Sequence, residues 1–253
     1  MNWEGMYTLF NKELKRFGKV ALQTVMAPII TALLYLLVFS HVLEDHVRVY
    51  DNISYTAFLI PGLMMMSIIQ NAFANSSSSL IQSKVTGNIV FVLLAPLSYF
   101  EFYLAFLFAS VVRGVCVGLG IFVVAQLFVS LPLYNAAWLF IFALFSSAVL
   151  GTLGIIAGIW AEKFDHMAGF QNFIILPLSF LSGVFYSIHS LPEFWQSVSK
   201  FNPFFYMIDG FRYGFFGISD VDPILSVSVV AMFWFVLGWL TLIMLRKGYK
   251  LRD

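Results

Sequence analysis

Charge is what this chain has least of: Asp, Glu, Lys and Arg make up 11% of its 253 residues. Cysteine is rarer still. Cys116 stands alone inside an apolar run, which excludes a disulfide framework and leaves no redox compartment to infer. No G-x-x-x-x-G-K-[ST] loop is present to cradle phosphates, since Gly18-Lys19 is followed by Val20 and lacks the upstream glycine. Neither an H-E-x-x-H pair nor a G-x-S-x-G nucleophile elbow occurs. His41, His46, His166 and His189 have no zinc-ligand spacing, and the first two, beside Glu44 and Asp45, read as a solvated outer loop. No catalytic residue and no metal ligand is therefore assigned. A cleavable leader is not expected either, because the apolar run starting at Val20 is longer than a signal core and lacks a small-residue cleavage site.

What is abundant is apolar: 60% of the residues are hydrophobic and the mean hydropathy is +0.89, far from an average soluble domain. Uncharged runs cover 20–43, 52–83, 114–161, 166–192 and 223–245. A spanning helix needs roughly 20 apolar residues. The run 114–161 holds two, divided by the turn-like Leu131, Pro132, Leu133, Tyr134 and Asn135. Six spans are expected, near 20–43, 57–78, 101–128, 136–160, 167–187 and 223–245. With both termini cytoplasmic, ten basic residues fall inside (Lys12, Lys15, Arg16, Lys19, Lys84, Lys163, Arg246, Lys247, Lys250, Arg252) against three outside (Arg48, Lys200, Arg212). That obeys the positive-inside bias, and the opposite topology violates it. The net charge of +1 thus conceals an asymmetry set by topology, which argues against a nucleic-acid partner.

Three segments are not simple spans. In 1–19, Trp3, Tyr7, Phe10, Leu14 and Phe17 recur every three or four residues while the basic residues fall mostly elsewhere, the pattern of an amphipathic helix in the cytoplasmic interface. It is read as a docking element or a topology anchor. The region 79–100 is too long for a tight turn and too apolar for a free linker, and is expected to hold a short packed helix ending at Ala95-Pro96. The stretch 176–217 is punctuated by Pro177, Pro192 and Pro203. Ser190 and Glu193 fit a capping box opening a helix with Leu191, Phe194, Trp195 and Val198 on one face. Two short helices joined at Asn202-Pro203 and dipping into the outer leaflet are expected over 188–216; an amphipathic surface loop is the plainer reading.

Polar residues inside spans divide between packing and transport. Ser67, Asn71, Asn75 and Ser78 recur about once per turn with Gln70 beside them, a stripe that either joins helices or lines a pathway. Arg113 needs a partner, water or headgroups, and Glu101 is the candidate partner. Gly114 with Gly118, and Gly154 with Gly158, are spaced for close helix contact. Asp209 and Arg212, three apart, are expected to pair.

Together, FLIPGLMM at 58–65, LLAPLS at 93–98, LPLS at 176–179, SGVFY at 182–186, LPEFW at 191–195 and Asn202-Pro203 through Tyr206, Asp209, Arg212 and Tyr213 resemble, in order and over nearly the whole chain, the permease subunits of ABC type-2 exporters, in their YadH-like branch. The resemblance implies an all-α integral membrane fold: six transmembrane helices, an N-terminal amphipathic interface helix and a re-entrant helical pair before the last span. It implies one transmembrane permease domain over 1–253, with 1–19 as interface helix, 79–100 as cytoplasmic coupling region and 188–216 as the re-entrant helices. It further implies export across the inner membrane of a lipidic, glycan or hydrophobic substrate, by a homodimer driven by two copies of a separate ATP-binding-cassette ATPase. This chain would bind no cofactor; ATP and magnesium would sit on the partner. Carried over, Lys84, Thr86, Gly87 and Asn88 fall in the coupling region, and Lys163 and Asp165 in a second cytoplasmic contact. Ser67, Gln70, Asn71 and Asn75 are pathway candidates, and Trp195, Tyr206, Asp209 and Arg212 belong to the re-entrant gate. Val90 and Phe91 depart from the family pattern, whose members often carry acidic residues there. The alternative is a stand-alone channel or ion-coupled carrier. A carrier would show inverted repeats or several buried acids, and no acidic residue lies near the middle of the spans drawn here.

Overall fold

The structure, a computed structural model, describes residues 2–43 and 53–251. The helices are α1 (Trp3–Lys19), α2 (Ala21–Leu43), α3 (Tyr55–Val85), α4 (Ile89–Leu94), α5 (Tyr99–Ala125), α6 (Ala136–Trp160), α7 (Phe164–Phe170), α8 (Leu176–Phe180), α9 (Glu193–Lys200), α10 (Pro203–Phe216) and α11 (Pro223–Lys247). A π turn, Gln171–Ile175, joins α7 to α8, and a 3-10 turn, Ile188–Ser190, precedes α9. Among the described residues, five helices (α2, α3, α5, α6 and α11) are long and apolar enough to cross a membrane. The expected span at 167–187 is instead the interrupted path α7–π–α8, which stops at Phe180 and gives way to turns over 181–186.

Local chemistry sets most boundaries. Ser98 and Glu101 form a capping box at the start of α5. Asn135 caps α6, while Asn202 caps α10 ahead of Pro203, and Asp222 caps α11 ahead of Pro223. The expected Ser190–Glu193 cap is not formed. Ser190 lies in the 3-10 turn, Pro192 occupies the cap position of α9, and no side chain caps that helix. Ser187 takes the local bonding role, accepting from the His189 N–H and donating to Asp220 Oδ1 at 2.7 Å.

α3 runs through the centre, packing most extensively on α6 and α5. It is also longer than its expected 57–78. At 1.5 Å per residue its 31 residues reach about 46 Å, more than the ~30 Å hydrocarbon thickness, so its C-terminal end takes in the first residues of the segment 79–100 expected to be a coupling region. The reason is that the serines close their hydrogen bonds within the helix or onto its neighbours. Ser77 Oγ donates to Phe73 O (2.8 Å), and Ser76 Oγ donates to Gly151 O of α6 (2.7 Å) while meeting Ser110 Oγ of α5 at 2.7 Å. α2 and α11 lie at the periphery and present Leu22, Leu34, Leu37, Phe235 and Trp239 outward, as lipid-facing helices do.

Close approach between α3, α5 and α6 depends on missing side chains. A Cβ at Gly154 would stand 2.5 Å from Phe73 O, and one at Gly158 2.7 Å from the Leu80 Cβ. Of the expected glycine pair on α5, Gly114 faces Ser147 and the Ile68 carbonyl, whereas Gly118 abuts the Ile68 side chain. The Gly154 contact is with backbone and has no way to yield. Gly154→Leu is expected to force α3 and α6 apart and cost about 3 kcal/mol, read as a lowered Tm in detergent; an unchanged Tm would mean that this contact does not hold the pair.

Candidate functional site

Chemistry-bearing side chains collect at three levels along α3. At its C-terminal end, Lys84 Nζ donates to Ile159 O (2.8 Å) and Ala161 O (2.6 Å), where α6 runs out of intrahelical donors. Lys84 therefore ties the end of α3 to the end of α6 rather than pointing into solvent. Thr86 caps α3, Gly87 turns the chain at φ +73°, and Asn88 precedes α4 without capping it. A side chain at Gly87 would meet open space, so the positive φ alone favours glycine there. Across the tie, Lys163 and Asp165 are exposed at the start of α7. Glu162 Oε1 accepts from Lys250 Nζ at 2.6 Å, and that hydrogen bond and the charge behind it hold the Glu162 carboxyl below the usual carboxylate range. α4 turns Val90, Phe91 and Leu94 outward, Phe91 and Leu94 being 74% and 77% exposed, and Phe164 and Trp160 are also exposed. This end of the molecule is an apolar surface with charges at its edge.

One level deeper, α1 is joined to α3. Glu13, fully buried, accepts from Ser79 Oγ (2.8 Å) and pairs with Arg16 (3.1 Å) and Lys12 (3.2 Å). Arg16 continues to Ser78 Oγ (3.2 Å), Asn75 O (2.7 Å) and Asn75 Oδ1 (3.1 Å). The aromatic stripe of α1 is therefore only partly turned to the protein, with Phe10 half-buried against the core. Leu9 and Glu13 are its buried residues, whereas Trp3 and Tyr7 point outward, and Arg16 turns to protein instead of to lipid phosphate. The other end of α1 is pinned through Asn2, whose N–H donates to Glu101 and whose Nδ2 donates to Pro96 O (3.2 Å). Glu101 serves these backbone groups, which is why it is not the partner of Arg113: twelve residues apart on one helix, the two are about 18 Å distant along its axis.

Arg113 bonds Asn71 instead, Nη2 to Oδ1 at 3.2 Å, and its guanidinium lies 5.9 Å from the centre of the Phe17 ring. Asn71 Nδ2 donates to Ser67 O at 3.1 Å. Ser67, Gln70 and Asn71 line one wall of a cleft of about 240 Å³ between α3 and α2, faced by Pro28 and Thr31. Asn75, predicted to share this wall, is fully buried one turn away with Arg16 and Ser110. The stripe thus divides: its outer half lines a cleft and its inner half joins helices. Sequence reasoning missed Glu13 and Tyr103, whose hydroxyl meets Thr152 Oγ1 (3.0 Å) and accepts from Trp234 Nε1 (3.1 Å); an acidic residue on the stripe side of α1 was the available signal for the first.

At the far end, α10 is buried among α6, α11 and α3. Asp209 and Arg212 are both buried but bond to different groups. Asp209 accepts from the Asp220 (2.8 Å) and Val221 (3.0 Å) backbone N–H, fixing the loop into α11. Arg212 donates to Gly183 O (2.8 Å) and stacks on the Phe58 ring at 3.8 Å. Tyr206 Oη donates to Lys200 O (2.9 Å), closing the α9–α10 corner, and Trp195 and Phe194 face outward from α9. His46, Glu44 and Asp45, and the placement of the His41 side chain, lie outside the described residues; among the described residues no cluster suited to a metal ion occurs.

Glu13→Ala would leave Arg16 without its buried countercharge and Ser79 without its acceptor. Destabilisation of about 2 kcal/mol, tempered by the partial exposure of Arg16, is expected. It should appear as a fall in Tm with faster proteolysis near residue 19, and equal digestion rates would show that α1 is held by its apolar contacts alone.

Residues 4–216 match the sequence family described as ABC-2 type transporter. The inner membrane transport permease YadH of Escherichia coli K12 is 36% identical over 253 residues, covering 99% of this chain and 98% of that protein. Nodulation protein J of Rhizobium leguminosarum bv. viciae is 23% identical over 92% of this chain and 89% of its own length. The capsule polysaccharide export inner-membrane protein BexB of Haemophilus influenzae is 36% identical over a shorter stretch, 32% of this chain and 29% of that protein.

Proposed function

Because the chain belongs to the ABC-2 type transporter family, we propose that it is the membrane subunit of an ATP-driven exporter, working as a pair with a second copy of itself and powered by two copies of a separate ATP-binding-cassette ATPase. It lies in the inner membrane with both termini cytoplasmic. ATP and magnesium are held by the partner, and the cargo is lipidic, a glycan or otherwise hydrophobic. The relative named for capsule polysaccharide export and the one named an inner membrane transport permease support this reading.

The observation that carries it is the cytoplasmic end of α3. An exposed apolar helix, α4, follows directly on a helix end that Lys84 ties to α6, beside the exposed start of α7. Such a surface suits a partner that pushes on the membrane helices. The α7–π–α8 path, extended by 181–186, serves as the remaining crossing, and α9 and α10 as the re-entrant pair closing the outer end. The buried carboxylates argue against an ion-coupled carrier, since Glu13, Glu101 and Asp209 are each engaged in fixing a helix or a loop.

Purified alone in lipid, the chain is expected to hydrolyse no ATP; hydrolysis by the single polypeptide would refute the proposal. With an ATP-binding-cassette ATPase partner co-expressed, Phe91→Glu should release the partner in a pull-down, or leave it bound with hydrolysis no longer linked to transport, because a charge replaces the apolar face that it covers. Normal capture and transport would place docking elsewhere. The re-entrant pair is tested separately, with Cys116 replaced by serine. A cysteine at 195 should react with a membrane-impermeant maleimide far more slowly than one at Asp222, and equal rates would make α9 a surface element.

A further inference from the structure

Arg113 is a cation within a membrane helix that has no carboxylate within 4.0 Å among the described residues; its recorded partners are the Asn71 carbonyl oxygen and the Phe17 ring. Its Nε, buried, makes no hydrogen bond. An unpaired charge at this depth is costly, and arginines in such places mark polar ligands or pathways. The second observation is independent of the first: the buried Nε2 of Gln70, on the wall of the α2–α3 cleft, also has no partner.

Asn71 connects the two. Because Arg113 occupies its Oδ1, the amide is fixed with Nδ2 toward Ser67, and an amide nitrogen has two hydrogens, of which Ser67 O takes one. Gln70 and Asn71 both line this wall and each keeps an uncommitted donor hydrogen, and the Arg113 charge stands behind Asn71. The remaining lining, including Pro28, Ala32, Tyr35, Leu63 and Met66, is largely apolar. A volume of about 240 Å³ holds a compact head group and the first carbons of a tail.

We propose that this cleft binds the head of an anionic amphiphile, a phosphate or carboxylate carried on an apolar tail, with Gln70 and Asn71 donating to its oxygens and Arg113 balancing its charge. This deepens the pathway reading of Ser67, Gln70 and Asn71, and rests on the exporter proposal only for the ligand being cargo. Binding is measured without an ATPase, so failure of this site and failure of the export reading are told apart.

The full chain would be placed in phosphatidylcholine nanodiscs and titrated with spin-labelled phosphatidic acid or equally labelled phosphatidylcholine, reading the immobilised fraction by electron spin resonance. The expected result is a saturable site, a single molecule per chain, preferring phosphatidic acid about tenfold, the scale of one charge-assisted hydrogen bond. Arg113→Gln should abolish the preference and Gln70→Met reduce it about threefold. If Arg113→Gln does not fold, Gln70→Met decides alone. A non-saturable preference, or an unchanged one in the folded variants, overturns the proposal. Adding unlabelled phosphatidylglycerol then separates two sources of the same chemistry: displacement identifies a resident membrane phospholipid, and retention against excess identifies a selective ligand delivered to the cleft.

Discussion

Backbone-distance packing of α3 against α6 and α5 is the constraint on which the rest of the molecule depends. Lipid tails are as apolar as leucine, so burying a side chain between helices gains little there, and association rests on close packing and hydrogen bonds. Gly154 and Gly158 bring α6 onto α3, and Gly151 accommodates Ser110 of α5. At this distance Ser76 reaches both a serine on α5 and a carbonyl on α6. Once α3 is enclosed, a helix with asparagines and a row of serines persists where it would otherwise be too polar for the membrane.

The enclosed helix then organises everything with chemistry. Its C-terminal end receives α1 through Glu13 and Arg16 and grips α6 through Lys84; its middle presents Gln70 and Asn71 to the cleft; its start faces Arg212 through Phe58 and the turn at Val184 through Gly62. α2 and α11, by contrast, touch the protein along narrow stripes and face lipid elsewhere. The molecule thus has a stiff centre and a loosely held periphery.

Much of this was legible in the residues. Uncharged runs located four of the five long helices to within a few positions, and the start of α3, because a run without charge is what the bilayer demands. Asn202 and Pro203 marked the α9–α10 corner, and Ala95-Pro96 the end of α4, since proline fixes boundaries locally. The full length of α3 was not legible: the span was drawn only to residue 78, yet serine continues a helix when its hydroxyl returns to the carbonyl four residues back, as Ser77 does. Partner identities were equally hidden. Spacing suggested that Asp209 would meet Arg212, and their charges do attract, but the backbone groups that each also bonds come from outside the helix, which no local pattern encodes. For the polar stripe, periodicity supplied a direction around α3 but not what stands opposite, so Asn75 and Asn71 looked equivalent although one faces Arg16 and the other a cleft.

The two short bonds from Lys84 to the end of α6 have a mechanical consequence. Two rods joined only at their middles can scissor; fastened at one end as well, they resist bending about that end as a single beam. If force arrives through α4, it reaches α3 and α6 together, and neither absorbs it by fraying. The yielding then falls to the slender elements, the peripheral α2 and the π-turned path between α7 and α8. A lysine placed in this way fastens the ends of the two central helices as a rivet does.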